Sequence, residues 1–154
     1  MENTKPFVGR KIDKSTIINL EKGKIPPQAV DLEEVVLGAM MIDKKGVDEV
    51  IDILHPDVFY KDAHRFIYEA IFILFEESQP VDLLTVSSQL KKSGKLEVCG
   101  GDFYLIKLTQ KVASSAHIEF HARIILQKYI QRSLIKISGE IIEEAYDEAT
   151  DVFD

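Results

Sequence analysis

The chain has 154 residues, which is a typical length for one domain, and its 45% hydrophobic content is enough for a core. No apolar run reaches the ~18 residues that a membrane-spanning helix needs. The formal net charge of −7 makes most of the surface unfavourable for phosphate contacts, which supply much of the affinity for nucleic acids. Composition therefore excludes a membrane span and disfavours tight DNA binding.

The N-terminal segment differs in charge from the rest of the chain. Residues 1–25 carry a net charge of +3 and the remainder carries −10. Pro26 and Pro27 end this segment, because a residue before proline avoids helical backbone angles. We expect residues 1–25 to form a flexible basic leader that touches DNA only weakly. The leader has no apolar stretch of a secretory signal, and the single cysteine fits a reducing compartment, so we expect a cytoplasmic protein.

The first two predicted helices follow this leader. Asp31 and Glu34 have the spacing of a capping box, which predicts a helix start. Gly38 lies inside this helix, where it costs about 1 kcal/mol relative to alanine, and this predicts that a neighbouring helix approaches closely. A second amphipathic helix should run from a turn at Asp43–Gly46 to Pro56. Val58 and Phe59 should then insert into the core.

The third predicted helix, Asp62–Glu77, has apolar residues on more than one face. This pattern predicts the central and most buried helix, with the ring of Phe66 fully buried.

Two further helices are marked by their ends. Asp82 can cap a helix that begins at Leu83, and Gly94 can stop it. Gly100–Gly101 then allows a turn before another helix from Asp102. The core predicted from all these patterns comprises Leu37, Met40, Val50, Leu54, Phe59, Phe66, Ile67, Ala70, Leu74, Leu83, Leu90, Tyr104, Leu105 and Leu108.

The last predicted helix runs from Ala116 to about Tyr146, with Ser114–Ser115 as its cap. A helix of about 30 residues is ~45 Å long, which exceeds the small head before it. It has two apolar faces, and too little chain follows to cover them. We therefore expect another subunit, or the second arm of a helical hairpin, to pack on it. The candidate subunit interface is Ile118, Ile125, Tyr129, Ile135 and Ile142.

The residue types of an enzyme site do not come together in this sequence. No phosphate-binding loop or nucleophile motif is present. His117 and His121 are spaced for one helix face but have no evident third metal ligand. His64 is interpreted as a core or capping histidine, and Glu33 as part of a solvated face. We predict no catalytic, cofactor or metal site in this chain.

The chain as a whole is predicted to be all-α. The predicted organisation is a flexible basic leader at 1–25, a compact helical head at 26–112, and a projecting helix at 113–154. This last part is the first arm of a helical hairpin together with the start of a truncated second arm.

A series of short motifs carries a family resemblance. The chain resembles the N-terminal domain of replicative DnaB-type DNA helicases over roughly residues 25–150, in motif order and in spacing. The motifs are Ile25–Gln28, Glu34–Gly38, Asp57–Tyr60, Ala63–Tyr68, Pro80–Thr85, Gly100–Gly101, Tyr104–Leu105, Ser115–Ile118 and Tyr129–Arg132.

The resemblance implies a function in a larger assembly. In this family, helical hairpins pair two subunits, and the dimers form a collar on a hexameric ring. The collar docks the primase and contributes to contacts with the helicase loader, so we expect self-association, a primase and possibly a loader as partners. Tyr104 is the candidate primase-facing residue. ATP and Mg²⁺ are expected only in a RecA-like ATPase domain that this chain does not contain.

Two alternatives stay open at this point. The first is the helicase-interacting C-terminal domain of a primase, which has a similar helical head; the Ile25–Pro27 start and Gly100–Gly101 argue against it. The second is a small metal-dependent hydrolase, which lacks an evident ligand set.

Overall fold

The computed structural model describes residues 24–112 and 115–154. Within these ranges the chain is helical and has no strand, which confirms the all-α prediction. The helices are α1 Val30–Ile42, α2 Lys44–Val50, α3 Asp62–Glu76, α4 Leu83–Lys92, α5 Gly101–Gln110 and α6 Ile118–Tyr146, with a 3-10 turn at Pro56–Val58. Nearly all of the predicted leader at 1–25, and Ser114 of the predicted cap, lie outside the described residues.

The central helix is α1, which contacts each of the other five α-helices. Eight of its 13 residues are buried. The prediction that the third helix occupies this position is wrong, because α3 keeps one face in solvent. Ile73 and Phe75 on that face are 38% and 39% exposed. Apolar residues around most of a helix indicate a buried helix only when neighbours are present on all sides.

The predicted helix ends are partly confirmed. In α4, Asp82 Oδ1 accepts from the backbone N–H of Thr85, and Thr85 Oγ1 accepts from that of Asp82, both at 2.9 Å. Gly94 follows the helix with φ +71°, in the left-handed region that favours glycine. The predicted Asp31–Glu34 capping box is wrong: α1 starts at Val30, and its N-cap residue Ala29 provides no side-chain cap.

Close packing between α1 and α5 explains Gly38. A Cβ atom at this position would lie 2.2 Å from the backbone oxygen of Leu108 on α5. No side chain fits at this distance, so the predicted close approach of a neighbouring helix is confirmed.

The predicted core is largely present. Val58 and Phe59 insert into it from the 3-10 turn with 0% and 1% exposure. Phe66, Leu83 and Tyr104 are only partly buried and pack at its edge. The prediction of a fully buried Phe66 is therefore wrong, and the ammonium of Lys95 covers this ring at 4.7 Å from its centroid.

Two phenylalanine-to-alanine changes test this placement. Phe59→Ala should lower the free energy of unfolding by about 3–5 kcal/mol, since it empties a fully buried site. Phe66→Ala should cost about 1–2 kcal/mol, because part of that ring already contacts solvent. Urea unfolding of both variants measures the difference, and equal losses would contradict the assignment of Phe66 to the edge.

Candidate interaction site

The predicted subunit interface on α6 divides into two parts in the structure. Ile118 and Ile125 are 2% and 1% exposed and lie in the head's own core. They are not part of an exposed stripe, and that expectation is wrong for these two residues. The first turns of α6 pack against α1, α2 and the 3-10 turn, and this contact covers them.

Tyr129 and Arg132 mark the position where α6 leaves the head. The Tyr129 ring meets the His55 ring edge-on, with centroids 5.2 Å apart. The Arg132 guanidinium donates to the backbone oxygens of Pro27 at 2.7 Å and Val58 at 2.8 Å. It also lies over the Tyr60 ring. These contacts join α6 to the N-terminal segment and to the 3-10 turn. Sequence patterns did not predict this role of Arg132, because the backbone oxygens that it binds are distant in sequence.

From Ile130 onward, the apolar side chains of α6 are half-exposed or exposed. An outer stripe at helical spacing consists of Ile130, Leu134, Ile137 and Ile141, which are 48%, 59%, 50% and 59% exposed. On another face, Ile135 and Ile142 line a groove with Ile25–Pro27. Ile135 is 46% exposed. An apolar surface of this extent is typical of a protein–protein contact.

A buried polar network connects the head's core to α5. Glu33 of α1 is 1% exposed, so the interpretation of its carboxylate as part of a solvated face is wrong. Its Oε2 accepts from the backbone N–H of Tyr60 at 2.9 Å, and its Oε1 lies 2.8 Å from His64 Nδ1. The prediction of a core histidine is confirmed, because His64 is 0% exposed.

Tyr104 continues this network toward the surface. Its hydroxyl lies 2.6 Å from His64 Nε2 and accepts from Lys61 Nζ at 3.2 Å. Because Glu33 accepts hydrogen bonds, we assign the hydrogen of His64 to Nδ1, which leaves Nε2 to accept from the Tyr104 hydroxyl. Burial, together with the nearby Glu34 carboxylate, raises the pKa of Tyr104, so the phenol keeps its proton. Tyr104, the candidate primase-facing residue, is therefore fixed in orientation by its hydrogen bond to the buried His64.

Glu34 forms a second link between α1 and α5 through an ion pair with Lys111. Burial alone would raise the pKa of Glu34. The hydrogen bond and charge of Lys111 outweigh this effect and lower the pKa below its ordinary value of 4.5. The pair therefore stabilises the fold when Glu34 is ionised.

The described residues offer no arrangement for metal chemistry. No group of three His, Cys, Asp or Glu side chains in residues 24–112 and 115–154 is placed to hold a metal ion. His117 is exposed, and His121 lies beside the Phe120 ring. Among the same residues, no helix is long and apolar enough to cross a membrane.

The geometry defines a helical interaction module, and comparison with known proteins identifies its family. Residues 25–127 match the family model described as the DnaB-like helicase N terminal domain. The chain belongs to this family. The match favours a helicase domain over the primase domain that the sequence left open.

Relatives and solved structures agree with this assignment. The chain is 44% identical over 137 residues to the replicative DNA helicase DnaB of Rhodothermus marinus, covering 89% of this chain and 14% of that protein. The crystal structure of the DnaB N-terminal domain from Mycobacterium tuberculosis aligns with a TM-score of 0.77 at 33% identity, covering 79% of this chain and 87% of that one. The DnaB N-terminal domain of Helicobacter pylori, whose structure is described together with its interactions with primase, has the same fold. It aligns with a TM-score of 0.66 at 22% identity, and the alignment covers 76% of this chain and 91% of that one.

Replacement of Lys111 by methionine tests the link between α1 and α5. The lowered pKa of Glu34 gives stability that is fully present above pH 4.5 and is lost as pH falls through the folded-state value. Lys111→Met should therefore cost about 0.5–1.5 kcal/mol near neutral pH, because solvent screens the half-exposed lysine, and the difference from wild type should shrink below pH 4.5. Unfolding by urea between acidic and neutral pH measures this.

Lys92→Met is the matched control, since Lys92 is an exposed cation on α4. It should be nearly neutral at all pH values. A pH-independent loss in Lys111→Met would contradict the assigned ion pair.

Proposed function

We propose that this chain is the collar domain of a cytoplasmic replicative DNA helicase, where it holds subunits together and docks a primase. The observation that carries the proposal is the outer stripe of α6, defined above by Ile130, Leu134, Ile137 and Ile141. The head closes its own core without this stripe, so the stripe is available to a second subunit.

The two ends of α6 have different tasks in this proposal. Its first turns anchor the helix in the head, and Arg132 fixes the point of departure. The remaining turns, with Ile135 and Ile142, present apolar surface to the other subunit. A hairpin arm following Asp154 in a longer protein would cover part of this surface, and the partner subunit the rest.

Primase docking is assigned to the Tyr104 side of α5 and the neighbouring outer face of the hairpin. Tyr104 is partly exposed and has a fixed orientation because His64 and Lys61 hold its hydroxyl. A rigid aromatic side chain with a polar tip is a frequent anchor at protein interfaces. The support from known proteins is the family match and the description of the Helicobacter pylori domain with primase. A helicase loader is a further partner of the same collar.

A charged double variant tests the outer stripe. Leu134→Asp with Ile141→Asp places two charges where a contact would bury them, which is strongly unfavourable. In a chain extended by about 40 residues, enough for a second helix of similar length, the variant should sediment at a lower mass than wild type. It should retain less primase in a pull-down with the cognate primase, while the head stays folded.

Lys45→Asp is the matched control because it changes the net charge by the same amount and its exposed side chain lies on α2, outside the outer stripe and the groove of Ile135 and Ile142. It should preserve assembly. Ile125 is unsuitable for this test, since its side chain lies in the core and a charge there would unfold the head. Unchanged oligomer mass and primase capture in the stripe variant would contradict the proposal.

The proposal also places ATP hydrolysis in a further domain that holds ATP and Mg²⁺. The purified chain should show no ATP turnover and no submicromolar affinity for DNA at physiological salt. The physical reasons are the missing phosphate-binding loop and the charge of −10 on residues 26–154. Turnover by the pure chain, or tight DNA binding in a fluorescence titration, would contradict this assignment.

A further inference from the structure

A second apolar surface lies on α4 and α5, apart from the outer stripe of α6. Leu84 and Phe103 are both 78% exposed, and Ile106 is 39% exposed. The contacts of Tyr104 and Lys111 account for the inner face of α5, but they do not use these side chains. Large apolar groups with this exposure are candidates for contact with another molecule.

These three side chains belong to one seam. The Ser87 hydroxyl donates to the Asp102 carboxylate and so joins α4 to α5 at this point. Leu84 lies one turn before Ser87 on α4. Phe103 follows Asp102 directly, and Ile106 lies one turn further along α5. Since residues three or four apart are neighbours on a helix surface, Leu84 lies beside the Ser87 end of this bond, and Phe103 and Ile106 lie on α5 beside its Asp102 end.

The charge around this seam is opposite to that of the whole chain. Residues 83–111 have five lysines and two acidic residues, a net charge of +3, whereas the chain carries −7. Lys91 lies two turns after Leu84, and Lys107 lies one turn after Phe103. Neither of them, nor Lys92, belongs to an ion pair among the described residues. Lys91 and Lys92 therefore line the seam without an ion-pair partner in the described part of the chain, whereas Lys107 lies near the Glu34 carboxylate and helps to lower the pKa of Glu34.

We propose that the seam between α4 and α5, defined by Leu84, Phe103 and Ile106, docks an acidic amphipathic helix of a partner protein. A groove between two helices accepts the apolar face of a third helix. Acidic side chains flanking that face would meet Lys91, Lys92 and Lys107 and would give the contact its specificity.

A single-stranded nucleic acid fits this seam less well. Such ligands require several aromatic side chains for base stacking along a basic groove. Phe103 is the exposed aromatic ring here, its neighbours Leu84 and Ile106 are aliphatic, and Asp102 places a carboxylate in the seam. The chemistry therefore favours a polypeptide.

Binding of a defined peptide tests the proposal. The probe is a fluorescein-labelled helix of about five turns, with leucines at i, i+3, i+4 and i+7 spacing and glutamates elsewhere. Fluorescence anisotropy should show saturable binding that weakens as salt rises. Phe103→Ser and the double variant Lys91→Glu with Lys107→Glu should each weaken binding at least about tenfold.

The controls separate the seam from other surfaces. Lys44→Glu with Lys45→Glu on α2 makes the same change in charge and should leave binding unchanged. The stripe variant Leu134→Asp with Ile141→Asp should also bind normally, so this test and that of the collar proposal fail independently. Thermal unfolding followed by circular dichroism verifies that each variant is folded.

Four results would overturn the proposal. The first is equal binding of a scrambled peptide with the same composition. The second is equal weakening by the α2 control. The third is displacement of the probe by single-stranded DNA that binds more tightly. The fourth is equally tight, Phe103-dependent binding of a peptide with the sequence of residues 140–154, which would assign the seam to a second copy of this chain.

Discussion

The arrangement of the head depends on one buried carboxylate. Glu33 lies on the central helix α1, and its two oxygens face the backbone N–H of Tyr60 and the ring of His64. A carboxylate in this position is strongly unfavourable unless it is paired and hydrogen-bonded. In the observed packing, the segment entering α3 places both donors against α1. The contact thus selects this packing from the many that an apolar core alone would allow.

The same network fixes the surface of α5 relative to the core. Tyr104 bonds to His64 from one side, and Lys111 pairs with Glu34 from the other. Gly38 lets α5 approach α1 until the Leu108 backbone lies directly against the backbone of Gly38. Because three separate contacts hold α5, the exposed residues of this helix form a rigid surface. Rigid presentation lowers the entropy cost of binding a partner.

Sequence patterns predicted the parts of this structure that depend on neighbours along the chain. The Asp82 cap, the glycine after α4 and the apolar spacing of each helix are local signals, and they gave the helix positions. The role of Glu33 depends on His64, which is 31 residues away, and single-sequence periodicity has no information on that pairing. Periodicity also cannot tell which apolar face of α6 is covered by its own head. For this reason Ile118 and Ile125 were assigned to an exposed face although the core contains them.

A double-mutant cycle on Glu33 and His64 tests this account most directly. The free energy of unfolding is measured by urea for wild type, Glu33→Gln, His64→Gln and the double variant. If the buried contact fixes the packing of α1 against α3, the two changes should be coupled by at least ~1 kcal/mol, as expected for residues in one network. Additivity within about 0.3–0.5 kcal/mol would show that the two residues act independently and would contradict the central role of this carboxylate.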